Sequence, residues 1–594
     1  MTDTKVTEDV APDQPDEPTA EGEPGDGDKG DGDGTAPARR RLRLPDWWLP
    51  ALGVAVVVAL PLRGFFRTPG APFEEGFMLL FPELVLKGKV PNRDFLNLYG
   101  PGSLWTIAAF YKVFGISIWT ERLVGLLQLV GVISGITVVN YRWGRWPAFL
   151  GGAVAAILIM PPVGLTALPW AGGMAFAVWA VIVLARTFDG RDRDDRQQRR
   201  VLLLAGLLAA GSLLFRPDQV LALGLPLGFV FLWGLDGKGR KALVTGLGIG
   251  LTPYLVHLAT AGPGHVINGL VLEPVFKLRP GRSLPFPPEP HRLTSFLNNA
   301  LLFRNWPWPF PSLDEPTQVF IWVPLLFAVT GFVLWVGHRS RRSGAVHGWV
   351  LFLLGLFALG TMPQVVQRVD TAHLSWVSAV PFGLLPAALV EWYRLREGKL
   401  PQLRFALPLV PLVVLVTLIP HYSIRWYSDF TGQTFNYMTD NQRSITNRGR
   451  TFYYGRPDAA EAAQAMVDDV DKVAKPGQRL IVGTGDLRRT PYSETFFYWL
   501  LPQLVPGTHH LEMEPGIANT EDSGLADDLR EADVYIASTL YDNWDEPNAA
   551  MDVGSDEPNQ VLADEFCLYK GYGTYHPADP RYPDPMYELY LRCH

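Results

Sequence analysis

Between residues 46 and 420 the chain is a succession of apolar segments of about twenty residues, separated by short polar loops. A helix of that length reaches across the hydrocarbon layer of a bilayer, which restricts the fold to a bundle of membrane-crossing helices. The runs fall near 47–65, 104–138, 147–163, 169–187, 201–215, 218–235, 242–260, 317–336, 347–364, 374–391 and 403–420, giving about eleven spans by the length rule. Around Gly115 the second run is expected to have a kinked or interfacial entry.

The loop charges orient the bundle. Arg39-Arg40-Arg41 and Arg43 stand before the aromatic pair Trp47-Trp48, a basic stop and interfacial anchor that places the N-terminus in the cytoplasm. Alternate loops carry Arg142 and Arg145, a cluster from Arg186 to Arg200, Lys238 with Arg240 and Lys241, Arg339 with Arg341 and Arg342, and Arg394 with Arg396 and Lys399. These are the inside loops under the positive-inside rule. An odd number of spans then leaves residues 421–594 outside, in the plasma membrane of the cell.

Three regions follow. Residues 1–45 form a polar, acidic cytoplasmic tail, too poor in large apolar residues to fold and without the apolar core of a signal peptide. Residues 46–420 are the transmembrane domain, with outside loops at 66–103 and 261–316. Residues 421–594 read as an extracytoplasmic α/β domain. A helix is expected over Ala459–Val473, and buried strands over Arg479–Val482 and Val534–Ala537. Two terminal strands carry Cys567 and Cys593, the chain's two cysteines. A disulfide between them fits an oxidising compartment, and two separate core thiols are the alternative. Gly483-Thr484-Gly485-Asp486 resembles part of a phosphate loop, though an ordinary turn after a strand uses the same residues. The net charge of −7 and the lack of a basic patch exclude a nucleic-acid partner.

The chemistry concentrates in the first outside loop. Glu74 and Glu75 are adjacent after the first span, and Asp94 follows a short amphipathic run ended by Gly88 and Pro91. Partly desolvated carboxylates at a membrane surface gain basicity and suit general-base work. Acidic residues also favour helix starts, so the pair has a purely structural reading too. Arg216, between two spans in Phe215-Arg216-Pro217-Asp218, suits bidentate binding of a phosphate, or else snorkels or pairs with Asp218. Arg368, Asp370 and His373 cluster at a later span end, and Lys89 lies in the first loop. The i, i+3 pair Asp370 and His373 leaves a divalent cation possible, on two ligands only, and no cofactor is certain. In the long loop, Trp306 and Trp308 either stack on a sugar or anchor at the lipid headgroups.

The order Glu74-Glu75-Gly76, Gly88-Lys89-Val90-Pro91, Arg93-Asp94-Phe95 and Tyr99-Gly100-Pro101-Gly102 resembles the first outside loop of the GT-C membrane glycosyltransferases. It is closest to the branch of the protein O-mannosyltransferases and the lipid A aminoarabinose transferase. In that branch the acidic pair is usually Asp-Glu, so Glu74 is a departure. The resemblance implies a sugar donor on polyprenyl phosphate and an extracytoplasmic glycan, lipid or protein acceptor. It implies one inverting displacement with Glu74 or Glu75 as the carboxylate base, and the amphipathic run is expected to bring Asp94, the third catalytic carboxylate, back toward the same cavity. Arg216, Arg368, His373 and Lys89 would hold the donor phosphate, and Tyr99, Asp370, Trp306 and Trp308 would line the cavity. A lipid-linked sugar flippase, or a scaffold for envelope glycans, is the competing expectation. Charges at span ends and the absence of a visible repeat count against a transporter.

Overall fold

The computed structural model describes residues 46–67, 69, 72–190, 193–283, 322–396, 410, 421–435, 444–491, 493–540, 548–574 and 585–593. The acidic tail, the span expected over 403–420 apart from Val410, and Trp306 and Trp308 lie outside the described residues.

Among the described residues, eight helices are long and apolar enough to cross a membrane, from Trp48–Arg67 to Ala372–Leu395, and two shorter apolar helices, Arg145–Ile159 and Gln219–Trp233, fall on expected spans. This is a polytopic helical membrane protein. Its helices keep large apolar residues at the surface, among them Leu52, Val56, Leu127, Val138, Leu225, Leu232 and Leu255. Such a girdle suits a hydrocarbon solvent.

The first segment divides into α1 (Trp48–Ala59) and α2 (Leu62–Arg67), followed by α3 (Pro72–Leu86), α4 (Pro101–Phe114) and α5 (Ile118–Asn140). The run expected as one span over 104–138 is thus two helices. Gly115, at φ +88, ends α4, and Ser117 caps α5 by accepting from the Thr120 N–H. Only glycine adopts that backbone conformation without strain, which fixes the break there.

The C-terminal region holds a hairpin of β1 (Ser444–Asn447) and β2 (Arg450–Tyr453) and a five-stranded sheet. The sheet strands are β3 (Arg479–Thr484), β4 (Val505–Pro506), β5 (Val534–Ser538), β6 (Phe566–Tyr572) and β7 (Tyr587–Arg592), in the order β4-β3-β5-β7-β6. The β3 strand is parallel to β4 and β5, whereas β7 is antiparallel to β5 and β6. Both β3 and β5 are buried on two faces, which explains their unbroken apolar runs. Leu480, Val482, Val534 and Ile536 join the core shared with the helix Pro457–Val473 and the bundle. Ile481, Tyr535 and Ala537 pack on the opposite side against Leu525, Leu529 and Val561. Cys567 of β6 and Cys593, just past β7, are joined by a disulfide. After β3 the chain turns on itself: Thr484 Oγ1 donates to the carbonyls of Asp486 and Arg489, and no helix follows directly. The phosphate-loop reading therefore fails for want of a helix N-terminus.

Bundle and sheet domain share one continuous core, and α3 lies at their junction. The Arg450 guanidinium of β2 forks onto Glu83 of α3 at 2.8 and 3.0 Å, where Glu83 is almost fully buried. Gly76 lets the chain approach closely, since a Cβ there would fall 2.4 Å from Thr495 Oγ1. Lys87 also reaches Glu83, at 2.9 Å, so removing Arg450 leaves the buried carboxylate only partly paired, at a cost of about 1–3 kcal/mol. Arg450→Met is therefore expected to lower the unfolding temperature of the detergent-solubilised protein, with Glu83→Gln in the same chain recovering much of the loss.

Candidate active site

The helix α3 starts at Pro72, which presets the helical backbone, and places Glu74 and Glu75 in its first turn. Adjacent helical residues point about 100° apart, so the two carboxylates face different surroundings. Glu75 is fully buried and grips Arg122 of α5 through two bonds of 2.6 and 2.8 Å. Arg122 also donates to the Phe65 carbonyl at 2.9 Å, tying α2, α3 and α5 together.

Glu74 turns the other way and keeps part of its surface exposed. Among the described residues its carboxylate has no side-chain hydrogen bond or ion pair, but the charges of Arg282, Asp370 and Arg368 act on it. Burial is the largest influence and raises its pKa above the ordinary glutamate value, against the pull of the two arginines.

The amphipathic run was expected to bring Asp94 back to Glu74. The structure returns Tyr99 instead. After the turn at 87–95 the chain runs back along α3, so that Phe95 meets Phe81 at 4.7 Å and Tyr99 stacks on Phe77 at 6.3 Å. Phe81 is seven residues beyond Glu74, roughly 10 Å along the helix. At that distant end Asp94 accepts from the Val90 N–H and from its neighbour Arg93. That hydrogen bond to Arg93 is the largest influence on the Asp94 carboxyl and holds it below the usual carboxylate range. Lys89 sits with it, exposed, beyond the last turn of α3. The turn itself is pinned by Asn92, which takes positive φ and bonds His257 at 2.9 Å.

The Tyr99-Gly100-Pro101-Gly102 cluster docks on the end of the helix Asp195–Phe215. A Cβ on Gly100 would fall 2.0 Å from the Leu214 carbonyl oxygen, so only glycine fits. This contact sets the Arg216 guanidinium 5.4 Å from the Tyr99 ring centre. Arg216 also pairs with Asp218, which accepts from Gln364 as well. Arg368 pairs with Asp370 at 2.8 Å and donates to the Arg282 carbonyl at 2.9 Å. Asp370 caps the helix Thr371–Leu395 through the His373 N–H and bonds the His373 ring. Tyr99, Arg216, Arg282, Arg368 and Asp370 thus gather electrostatically around Glu74. Among the described residues no group of three or more His, Cys, Asp or Glu side chains could hold a metal ion.

Sequence reasoning missed Arg122, Arg282, Glu512 and Glu514. Arg122 was hidden inside an apolar run, where an arginine beside Glu121 is itself a signal of a buried partner. Arg282 stood in the long outside loop among other arginines. Glu512 and Glu514 carried no signal, because acids of a soluble domain are normally solvated. They come from the sheet domain, beside Ser493, whose N–H donates to the Glu512 carbonyl, and near the residues that touch α3.

Comparisons with solved structures return several matches over most of the chain. ArnT from Cupriavidus metallidurans, bound to undecaprenyl phosphate, matches with a TM-score of 0.49 and 14% identity, over 92% of this chain and 98% of that one. The Archaeoglobus fulgidus oligosaccharyltransferase, in complex with Zn and sulfate, gives 0.46 and 12% over 89% of this chain and 73% of that one. Arabinofuranosyltransferase AftD from Mycobacteria, as an R1389S mutant, gives 0.37 and 15% over 92% of this chain and 41% of that one. No family model and no curated protein matches the chain. These likenesses are of overall arrangement and carry no residue roles with them.

The two neighbouring glutamates should separate in experiment. Glu75→Gln weakens a buried bidentate pair and is expected to cost about 3 kcal/mol of stability. Glu74→Gln, with no side-chain partner to lose among the described residues, should change stability by less than about 0.5 kcal/mol. Thermal unfolding of both variants in detergent measures the difference.

Proposed function

We propose that this chain is a membrane glycosyltransferase that moves a sugar from a polyprenyl-phosphate donor to an acceptor hydroxyl, with Glu74 as the general base. The observation that carries the reading is the Glu74 carboxylate itself. It is partly buried, free of side-chain bonding among the described residues, and under the influence of the Arg282 and Arg368 charges. A base kept unpaired beside guanidinium groups is what displacement of a phosphate by an alcohol requires.

In this reading Glu74 takes the proton of the acceptor hydroxyl. The oxygen attacks the anomeric carbon from the face opposite the phosphate, giving inversion. The bond from the anomeric carbon to the phosphate oxygen breaks, and polyprenyl phosphate departs with the electron pair. Arg282, Arg368 and Arg216 stabilise the phosphate, while Asp218 and Asp370 hold two of those guanidinium groups in place. His373 orients Asp370. Glu75 supports the fold of the site through Arg122, and Asp94 and Lys89 support the turn that returns Tyr99. The N-terminus is cytoplasmic, and the sheet domain and catalytic cavity face outward at the plasma membrane. The acceptor is an extracytoplasmic glycan, lipid or protein.

Glu74→Gln is expected to lower the transfer rate by about 10²–10⁴-fold with folding intact. Wild-type activity in a defined donor assay would remove Glu74 from the reaction. Because the base works ionised, kcat/KM should rise with pH through an apparent pKa above 4.5. Arg282→Ala removes a charge that favours the ionised form, so that limb should move to higher pH; an unchanged limb in a pH–rate profile would separate Arg282 from Glu74. Arg216→Ala should weaken binding of undecaprenyl phosphate by about tenfold, as read by titration in detergent micelles.

A further inference from the structure

The sheet domain brings two acids to this site that the reaction as described does not use. Glu512 and Glu514 lie on the stretch after β4 with residue exposures of 2% and 0%. Among the described residues no other residue donates a hydrogen bond to any of their four carboxylate oxygens. Leaving such groups buried and unbonded costs several kcal/mol in a protein interior, so their bonding is expected to be completed by something that enters.

Three attachments hold this stretch against the catalytic loop. The Leu96 N–H donates to the His509 carbonyl at 2.9 Å, in the segment that leads to Tyr99. The carbonyls of Leu511 and Glu512 accept from Ser493, two residues before Thr495, which packs on Gly76. Pro515 approaches Gly281, the neighbour of Arg282, so closely that a Cβ there would meet its carbonyl oxygen at 3.2 Å. Glu512 consequently feels the charges of Glu74 and Arg282, Tyr99 feels Glu512, and Glu514 feels Arg282. Between the two acids Met513 takes φ +52, a conformation a side chain of its size rarely adopts.

The chemistry that would satisfy the pair follows from what is already present. Arg282 supplies positive charge to both acids, so the missing components are hydrogen-bond donors. Burial pushes both carboxyl groups up, aided at Glu512 by the charge of Glu514 and at Glu514 by the charge of Glu273, so a protonated and an ionised carboxyl can stand together here. Such a pair both accepts and donates, as neighbouring hydroxyls on one ring do. A phosphate held by Arg216 and Arg282 would carry its sugar past Tyr99 onto these acids.

We infer that Glu512 and Glu514 form the subsite that binds the hydroxyl groups of the donor sugar, so that the sheet domain reads the sugar while the helical domain holds the phosphate. This rests on the donor reading above. It makes the sheet domain a part of the substrate site.

The test uses the full-length protein in detergent micelles. Undecaprenyl phosphate is titrated bare and carrying one of a panel of hexoses and pentoses. Wild type is expected to bind at least one sugar-bearing lipid about tenfold more tightly than the bare lipid. Glu512→Ala and Glu514→Ala are expected to lose that gain while still binding the bare lipid. Glu512→Gln and Glu514→Gln, of nearly the same volume, serve if the alanine variants do not fold, and should lose a large part of the gain. Retention of the full gain in the folded variants would overturn the inference. So would equal wild-type affinity for bare and sugar-bearing lipids across the panel, which leaves the phosphate reading standing. A gain abolished by EDTA and restored by Mg²⁺ would assign the pair to a cation instead. Failure of wild type to bind either lipid would overturn the donor reading itself.

Discussion

The buried pair between Glu75 and Arg122 is the constraint on which the arrangement of the site depends. It fixes the first turn of α3 against α5 and, through the Phe65 carbonyl, against the end of α2. In a helix the neighbouring side chain must then point away, so the position of Glu74 follows from that of Glu75. Two adjacent acids thereby acquire opposite circumstances. One is held by a guanidinium inside the core, and the other has no side-chain partner among the described residues and feels the charges of Arg282, Asp370 and Arg368.

The remainder of the site is assembled by close backbone approach. Gly76 admits Thr495 from the sheet domain, and Gly100 admits the Leu214 carbonyl at the end of a membrane helix. These two glycines let α3 and the returning chain lie between helical bundle and sheet without a gap. The arginines arrive from three separate places in the sequence, each at or beyond a helix end. Asp218 and Asp370 orient two of them, which limits how far those charges can move when an anion enters.

Much of the fold was legible in the sequence. Apolar length located the membrane helices. The unbroken apolar runs of β3 and β5 marked strands buried on both faces. The break at Gly115 was half legible: a kink was expected and two separate helices formed, because a left-handed glycine ends α4 outright. Glu74, Tyr99, Arg216, Arg368 and Asp370 were singled out from the chain, and the structure links them through their charges. Asp94 and Lys89 were singled out with them and lie at the other end of α3, since a strand-like return gains more length per residue than the helix beside it. Arg122 could not be matched to Glu75, nor Arg450 to Glu83, because these partners are 47 and 367 residues apart.

The sequence by itself determined that this chain crosses a membrane repeatedly, carries an α/β region after the helices, and places acids and arginines at helix ends. Those properties follow from local length, periodicity and charge, which neighbouring residues encode directly. Only the tertiary structure decided which acid is tied and which is open, and that Glu512 and Glu514 of the sheet domain stand beside a loop more than 400 residues away. Burial and pairing are properties of the space around a side chain, and that space is filled by segments the local sequence does not name.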